Sequence, residues 1–251
     1  MTHLSINLNK IALIRNSRDT VIPDVVEHAQ MCIDAGAHGI TVHPRPDQRH
    51  IRVADCFALR DAIDVELNIE GNPFTSPRPS DRPEVSDYPG FMSLIAAVRP
   101  AQVTLVPDSD QQLTSDHGFD LERDGSRLRP IIDQLKSWGC RVSLFMDPVP
   151  SSMNDARALG ADRIELYTES WATAHRLGDW QAERERFVAT AEAAHNLGLG
   201  VNAGHDLNLQ NLPDLRLPHL AEVSIGHAFT VDALSFGIAE TVKRYLNALN
   251  S

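Results

Sequence analysis

The strongest constraint on this chain is a rhythm. Eight short runs with the alternating or wholly apolar texture of strands recur at Leu4–Leu8, Gly39–His43, Glu66–Glu70, Gln102–Val106, Arg141–Met146, Arg163–Tyr167, Leu199–Ala203 and Glu222–Ile225. Between and after them lie stretches with helical spacing: Pro23–Ala35, Val53–Ile63, Phe91–Val98, Leu121–Trp138, Met153–Leu159, Ala182–Leu197, Leu209–Leu215 and Val231–Leu249. Pro23 suits a first helical turn, and Gly36, Gly139, Gly160 and Gly198 suit helix C-termini, where the chain turns left-handed. Strands that alternate with helices run parallel, because each helix carries the chain back along the sheet. Eight such units in 251 residues predict an α/β protein, a (β/α)8 TIM barrel formed as one domain over residues 1–251. A doubly wound open sheet is the alternative. It calls for a glycine-rich loop after the first strand, where this chain reads Asn7-Leu8-Asn9-Lys10. The segment Gly71–Gly90 breaks the rhythm with five of the chain's 15 prolines, and reads as a surface excursion between the third strand and its helix.

Composition narrows function by exclusion. Asp and Glu number 34 against 23 Lys and Arg, a net charge of −11, which argues against a nucleic-acid partner. No apolar run approaches the ~20 residues that cross a bilayer. The N-terminal stretch lacks a basic segment followed by an apolar block, so no membrane partner and a cytoplasmic location are expected. Cys32, Cys56 and Cys140 are odd in number and form no C-x-x-C pair, which fits reduced, buried thiols.

In a parallel barrel the chemistry gathers on the loops after the C-terminal strand ends. Those positions hold Asn7, Asn9 and Lys10 after strand one, His43 and Arg45 after strand two, and Glu70 after strand three. Pro107-Asp108 and Thr114 follow strand four, and Asp147 follows strand five. Glu165 and Thr168 belong to strand six, and Gly204-His205 and Gly226-His227 end the last two strands. Neighbouring strands lie ~4.8 Å apart, so His43 and Glu70 form a candidate proton-transfer pair; burial would raise the carboxyl's pKa, and the imidazole would hold it down. The two Gly-His ends fit a phosphate cradle of backbone N–H groups at a helix N-terminus. The run His43-Pro44-Arg45-Pro46-Asp47-Gln48-Arg49-His50 is one basic cluster, and Arg15 with Arg18 is a second. Two clusters suit two phosphorylated reactants, because Arg grips phosphate through a bidentate fork. Arg makes up 20 of the 23 basic residues, however, so an isolated Arg carries little weight. The loop Asp108–Gly118 is a candidate lid.

Three other readings compete. Four histidines and two glutamates at one mouth also fit a divalent metal site in a barrel hydrolase or epimerase. The H-x-H pair common on strand one of such enzymes is replaced by Ser5-Ile6-Asn7-Leu8-Asn9. Lys10 is a candidate Schiff-base lysine. A non-catalytic barrel that binds phosphorylated ligands is the third.

These stretches together resemble the pyridoxine 5'-phosphate synthase family. The resemblance is carried by Asn7-Leu8-Asn9-Lys10-Ile11-Ala12 with Arg15-Asn16-Ser17-Arg18, by Gly39-Ile40-Thr41-Val42-His43-Pro44-Arg45 through Arg49-His50-Ile51, and by Asn68-Ile69-Glu70. It continues through Val103-Thr104-Leu105-Val106-Pro107, Arg141-Val142-Ser143-Leu144-Phe145 and Ile164-Glu165-Leu166-Tyr167-Thr168. Val201-Asn202-Ala203-Gly204-His205 and Ile225-Gly226-His227-Ala228 complete it. It implies a barrel that assembles as a homo-octamer and needs no metal or organic cofactor. The implied reaction condenses 3-amino-2-oxopropyl phosphate with 1-deoxy-D-xylulose 5-phosphate to pyridoxine 5'-phosphate, phosphate and water. The resemblance makes His43 and Glu70 acid/base residues, His205 a proton donor and Glu165 a transition-state stabiliser. It gives Asn7, Arg18, Gly226 and His227 to the amino-ketone phosphate, and Arg45, His50 and Thr114 to the sugar phosphate. Asn9-Lys10 stands where the more familiar form has Asp-His, and Asp206 stands where it has Gly; both are expected to face substrate, with Asp206 using its backbone N–H and pointing its carboxylate away.

Overall fold

The computed structural model describes residues 1–18, 20–109, 112 and 114–250. Eight parallel strands pair in sequence order and β8 returns to β1, which closes the barrel. They are β1 (His3–Asn7), β2 (Gly39–Val42), β3 (Glu66–Gly71), β4 (Gln102–Leu105), β5 (Arg141–Met146), β6 (Arg163–Tyr167), β7 (Gly200–Gly204) and β8 (Leu220–Ile225). The expected strands all form, with edges displaced by one or two residues. The helices around them are α1 (Asn9–Asn16), α2 (Val25–Asp34), α3 (Val53–Ala62), α4 (Phe91–Val98), α5 (Leu121–Ser137), α6 (Met153–Ala158), α7 (Glu169–Leu177), α8 (Gln181–Asn196), α9 (Leu212–Leu215), α10 (His227–Phe236) and α11 (Ile238–Leu249).

Period-two alternation decides which way each strand residue faces. From Leu4 and Ile6 on β1 to Val223 and Ile225 on β8, one set of alternate residues is apolar and buried. They pack against helix positions such as Leu128, Ile132 and Leu135 of α5, spaced four and three residues apart. The other set fills the lumen, and it is polar. Ser5 and Thr41 share a hydroxyl hydrogen bond of 2.7 Å, and Thr104 Oγ1 donates to Asn68 Oδ1 at 3.1 Å. At the N-terminal end, Arg141 pairs with Glu66, Arg163 lies 3.5 Å from Glu222, and Gln102 Nε2 donates to Glu222 at 3.4 Å. Branched apolar layers usually fill such a barrel; here a hydrogen-bonded network does.

Several local expectations are corrected. The single helix expected over Val231–Leu249 is two, broken where Gly237 takes a φ of +77°. Leu209–Leu215 yields only the short α9, and α1 and α7 form where strand ends and loops were expected. Pro23 lies just before α2, and Asp24 caps the helix instead by accepting from the Glu27 N–H at 2.8 Å. Gly36, Gly139, Gly160 and Gly198 all have positive φ at helix ends, as their placement predicted. The proline-rich segment lies on the surface as expected, with residues such as Ser76, Pro79, Glu84 and Asp87 exposed, but it is stitched down: Tyr88 is buried and bridges Arg78, and Gln48 Nε2 donates to Ser86 O at 2.6 Å. Arg15 is not part of an anion site. Its guanidinium is buried on Asp55, at 2.6 and 2.9 Å, and on His50 O at 3.1 Å, so α1 anchors the loop after β2. The three cysteines are free and buried, as expected.

Burial gives the lumen a pH signature. Desolvation, reinforced by Glu66, pushes Glu222 up to about 8, with Arg163 pulling the other way. An unfolded glutamate ionises near pH 4.3, so above that value the folded protein holds a proton that the unfolded chain has lost. Stability contributed by this group therefore falls as pH rises, until the folded carboxyl ionises near 8. Between pH 6.5 and 8 an unfolded histidine is mostly neutral, and the carboxyl effect dominates. We expect the denaturation midpoint to fall across that window, and Glu222→Gln to flatten the fall; an unchanged slope in urea titrations at several pH values would refute the role.

Candidate active site

The register β2–β3 pairs Val42 with Ile69, which sets His43 opposite Glu70 at the C-terminal end of the barrel. No hydrogen bond joins the two side chains. His43 is buried, and its ring sits 6.3 Å from the His50 ring. Burial first, then Arg45, His50 and Arg49, holds His43 well below the usual histidine range, so the imidazole is neutral at pH 7. Burial also raises Glu70 well above the usual glutamate range, helped by Glu165, Asp108 and Glu222. The expectation that the imidazole would hold Glu70 down is not met: the groups acting on Glu70 are carboxylates. An imidazole lowered below its usual range beside a carboxyl raised above its own is a combination suited to passing a proton each way.

Asn7 and Asn9 build this end of the site. Asn7 Nδ2 donates to Glu70 Oε2 at 3.4 Å, and Asn7 Oδ1 accepts from the Asn9 N–H at 3.0 Å. Asn9 Oδ1 accepts from the His43 N–H at 2.9 Å, so this amide clamps α1 to the backbone of His43. Lys10 is half-buried next to it in the first turn of α1, close enough to help depress His50. His50 is held down to about 3, by burial and then Arg45. Its Nδ1 accepts from the Ile51 N–H at 2.9 Å, which leaves Nε2 protonated as a neutral donor.

Across the mouth, Glu165 is 3% exposed. Burial pushes it up to about 7 against the pull of His205 and of Thr104. It fits only because Gly204 has no side chain: a Cβ there would lie 2.2 Å from Glu165 Oε1. His205 and Asp206 both adopt left-handed backbone, φ +81° and +55°, a conformation that costs non-glycine residues energy and tends to mark functional turns. Thr168 Oγ1 donates to Gly204 O at 3.0 Å and also to His205 O, and Asn211 Nδ2 donates to Asp206 O at 3.0 Å, which holds the turn. His205 Nε2 meets Thr114 Oγ1 at 2.9 Å, and Nδ1 meets Asp206 Oδ2 at 2.9 Å. Asp206 therefore does not point its carboxylate away. It orients the imidazole, and His205 in return lowers its pKa, with a smaller contribution from His227. Gly226 caps α10 and packs on Asn7, where an added Cβ would meet Asn7 Cβ at 3.2 Å; His227 opens the helix and is exposed.

Two expected anion contacts look different in the structure. Arg18 is exposed beyond α1, and no side-chain contact among the described residues ties it to Gly226 or His227. Arg45 is buried and already engaged: it pairs with Asp108 and donates to Gln112 O at 2.6 Å. Asp108 was placed at a strand end by the sequence, but nothing there marked it as Arg45's partner. Of the expected lid Asp108–Gly118, residues 110, 111 and 113 lie outside the described residues. Among the described residues, no three His, Cys, Asp or Glu side chains gather as metal ligands.

A profile for the pyridoxal phosphate biosynthesis protein PdxJ matches residues 4–251. Curated relatives include the pyridoxine 5'-phosphate synthase of Xylella fastidiosa (strain 9a5c), 54% identical across 100% of this chain and 95% of that protein. The pyridoxine 5'-phosphate synthase of Xanthomonas campestris pv. campestris (strain B100) is 56% identical across 98% and 95%. Among solved structures, a phosphoribosylanthranilate isomerase from Thermotoga maritima aligns with a TM-score of 0.56 at 12% identity, over 100% of this chain and 99% of that one. A thiamine phosphate pyrophosphorylase from Pyrococcus furiosus aligns at 0.55 and 12%, over 99% and 95%. Both share the barrel fold.

The Gly204–Glu165 contact makes a direct prediction. Gly204→Ala forces a methyl into a packed carboxylate, and overpacking of this kind costs about 1–3 kcal/mol. Denaturant unfolding is expected to show a loss of at least that size, and a neutral result would mean that Glu165 has room to move.

Proposed function

The chain belongs to the family of the pyridoxal phosphate biosynthesis protein PdxJ, and on that premise we propose how the barrel mouth divides the labour of making pyridoxine 5'-phosphate. Its substrates on this reading are 3-amino-2-oxopropyl phosphate and 1-deoxy-D-xylulose 5-phosphate. The observation that carries the assignment of roles is the register that sets His43 opposite Glu70, where burial lowers the imidazole and raises the carboxyl.

Joining the amine of one substrate to the ketone of the other releases water, so the ketone oxygen must gain protons while the nitrogen loses them. Glu70 supplies a proton to the departing oxygen, and His43 Nε2 or Nδ1 takes the one released from nitrogen. Loss of the sugar phosphate, ring closure and a final dehydration need the same two groups in reversed roles. His205 serves as a further donor, oriented by Asp206 and Thr114. Glu165, itself poised near neutrality, balances charge as it develops across the mouth. Asn7, Gly226, His227 and Arg18 take the amino-ketone phosphate; the open first turn of α10 supplies N–H donors there. Arg45, His50 and Thr114 take the sugar phosphate, with Asn9 and Lys10 beside them. Arg18 reaches its phosphate only by swinging in from solvent.

Self-association is part of this reading. Leu13 and Ile14 of α1 and Val231 and Leu234 of α10 are exposed apolar side chains on neighbouring helices, a face suited to another copy of the chain. The homo-octamer implied by the family resemblance would bury it. Among the described residues no helix is long and apolar enough to cross a membrane.

Glu70→Gln keeps the shape and removes the titratable proton. It is expected to lower kcat by at least about 10²-fold, the usual scale of general acid–base catalysis, while calorimetry shows substrate binding retained. Full turnover by this variant would sink the assignment.

A further inference from the structure

Arg45, given to the sugar phosphate above, is not waiting for an anion. Arg45 and Asp108 are each 4% exposed. The guanidinium Nη2 donates to Asp108 Oδ2, and Ser115 Oγ donates to the same oxygen at 2.9 Å. Asp108 Oδ1 is buried with no hydrogen-bond partner among the described residues. We propose that Asp108 is a built-in competitor for the phosphate of the sugar substrate: it holds Arg45 in the free protein, yields it when phosphate arrives, and so sets the affinity and anion selectivity of that site.

The geometry supports an exchange rather than a permanent bond. A buried carboxylate that satisfies one oxygen and leaves the other bare is poorly solvated, so it is an easier anion to displace than one held at both ends. A phosphate has three terminal oxygens and takes a guanidinium in bidentate fashion. Displacement does not require the backbone at residue 108 to move, because Asn72 Nδ2 holds its carbonyl at 2.8 Å, so the side chain alone has to turn. Beside it lies a cavity of about 10 Å³, lined by His43, Arg45, Asn72, Thr75, Tyr88 and Asp108, with room for one water-sized group. Had Asp108 a purely structural role, its loss would loosen Arg45 and weaken phosphate binding. A competitor predicts the opposite sign.

The inference rests on Arg45 as the phosphate residue, and the test separates the two. Full-length protein is titrated calorimetrically with 1-deoxy-D-xylulose 5-phosphate, and with inorganic phosphate as a second probe. Asp108→Asn removes the charge at nearly constant shape and is expected to lower Kd about tenfold, the scale of one close unit charge in a solvated site. Ser115→Ala strips a donor from the competing carboxylate and is expected to lower Kd by about two- to threefold, the scale of a fraction of one hydrogen bond; it decides the matter if the first variant does not fold. Arg45→Ala is expected to raise Kd about tenfold or more. Unchanged or weaker binding by the Asp108 and Ser115 variants, with the Arg45 variant weakened, would overturn the competitor and leave the Arg45 reading standing. Unchanged binding by the Arg45 variant would overturn both.

Discussion

Everything at the working end depends on how the barrel carries carboxyl groups inside itself. Glu70, Glu165 and Glu222 all occupy the lumen, and each is pushed up by burial. A carboxylate moved out of water without compensation is far too costly to keep charged, so it keeps its proton instead. The lumen supplies neutral partners at the level where neutrality serves chemistry: Asn7 on Glu70 and Thr104 on Glu165. At the opposite end it supplies cations, Arg141 on Glu66 and Arg163 near Glu222. One interior thus holds a floor where arginines tie strands together and a mouth whose carboxyls burial raises toward proton transfer.

The same division explains the apolar exterior of the strands. With polar residues filling the lumen, hydrophobic stabilisation has to come from the layer between strands and helices, where Leu4, Ile40, Val103, Leu144, Ile164 and their neighbours are fully buried. Packing there fixes strand register, and register fixes which side chains meet at the mouth. The Gly204 position illustrates the chain of dependence: β6 pairs with β7 so that Tyr167 sits opposite Gly204, and the missing side chain leaves the space Glu165 fills.

Much of this was legible in the sequence because it rests on periodicity and position. Alternation marked all eight strands, and barrel topology then placed His43, Glu70, Glu165, His205 and Gly226 at one end without any knowledge of contacts. What was not legible depends on side chains distant in sequence. Nothing local in Arg15 separates an anion ligand from the partner of Asp55, forty residues away, nor in Arg45 an open guanidinium from one held by Asp108. The fate of Asp206 was equally hidden, since its contact with His205 depends on two successive left-handed residues, a turn that no local pattern announces. The break at Gly237 was missed for a different reason: the apolar spacing runs on through it, and one glycine inside a helical pattern is a weak signal.

These departures bear on how an acidic protein accommodates two phosphates. Net charge of −11 would repel a dianion if it were spread evenly, yet the mouth is close to electrically silent. Its histidines 43 and 50 are neutral because they are buried beside arginines, and burial raises its glutamates 70 and 165 above the usual carboxylate range. Arg45, the strongest cation in the cavity, is balanced by Asp108. A mouth with little net charge costs little to desolvate when substrate enters, and it spares both phosphates a strong fixed repulsion. On the proposed assignment, phosphate gains its cations and N–H groups by exchange, at Arg45, or by approach from solvent, at Arg18 and the first turn of α10. Selectivity for phosphorylated substrates would follow from such an exchange, because only an anion strong enough to replace an aspartate would gain the buried guanidinium.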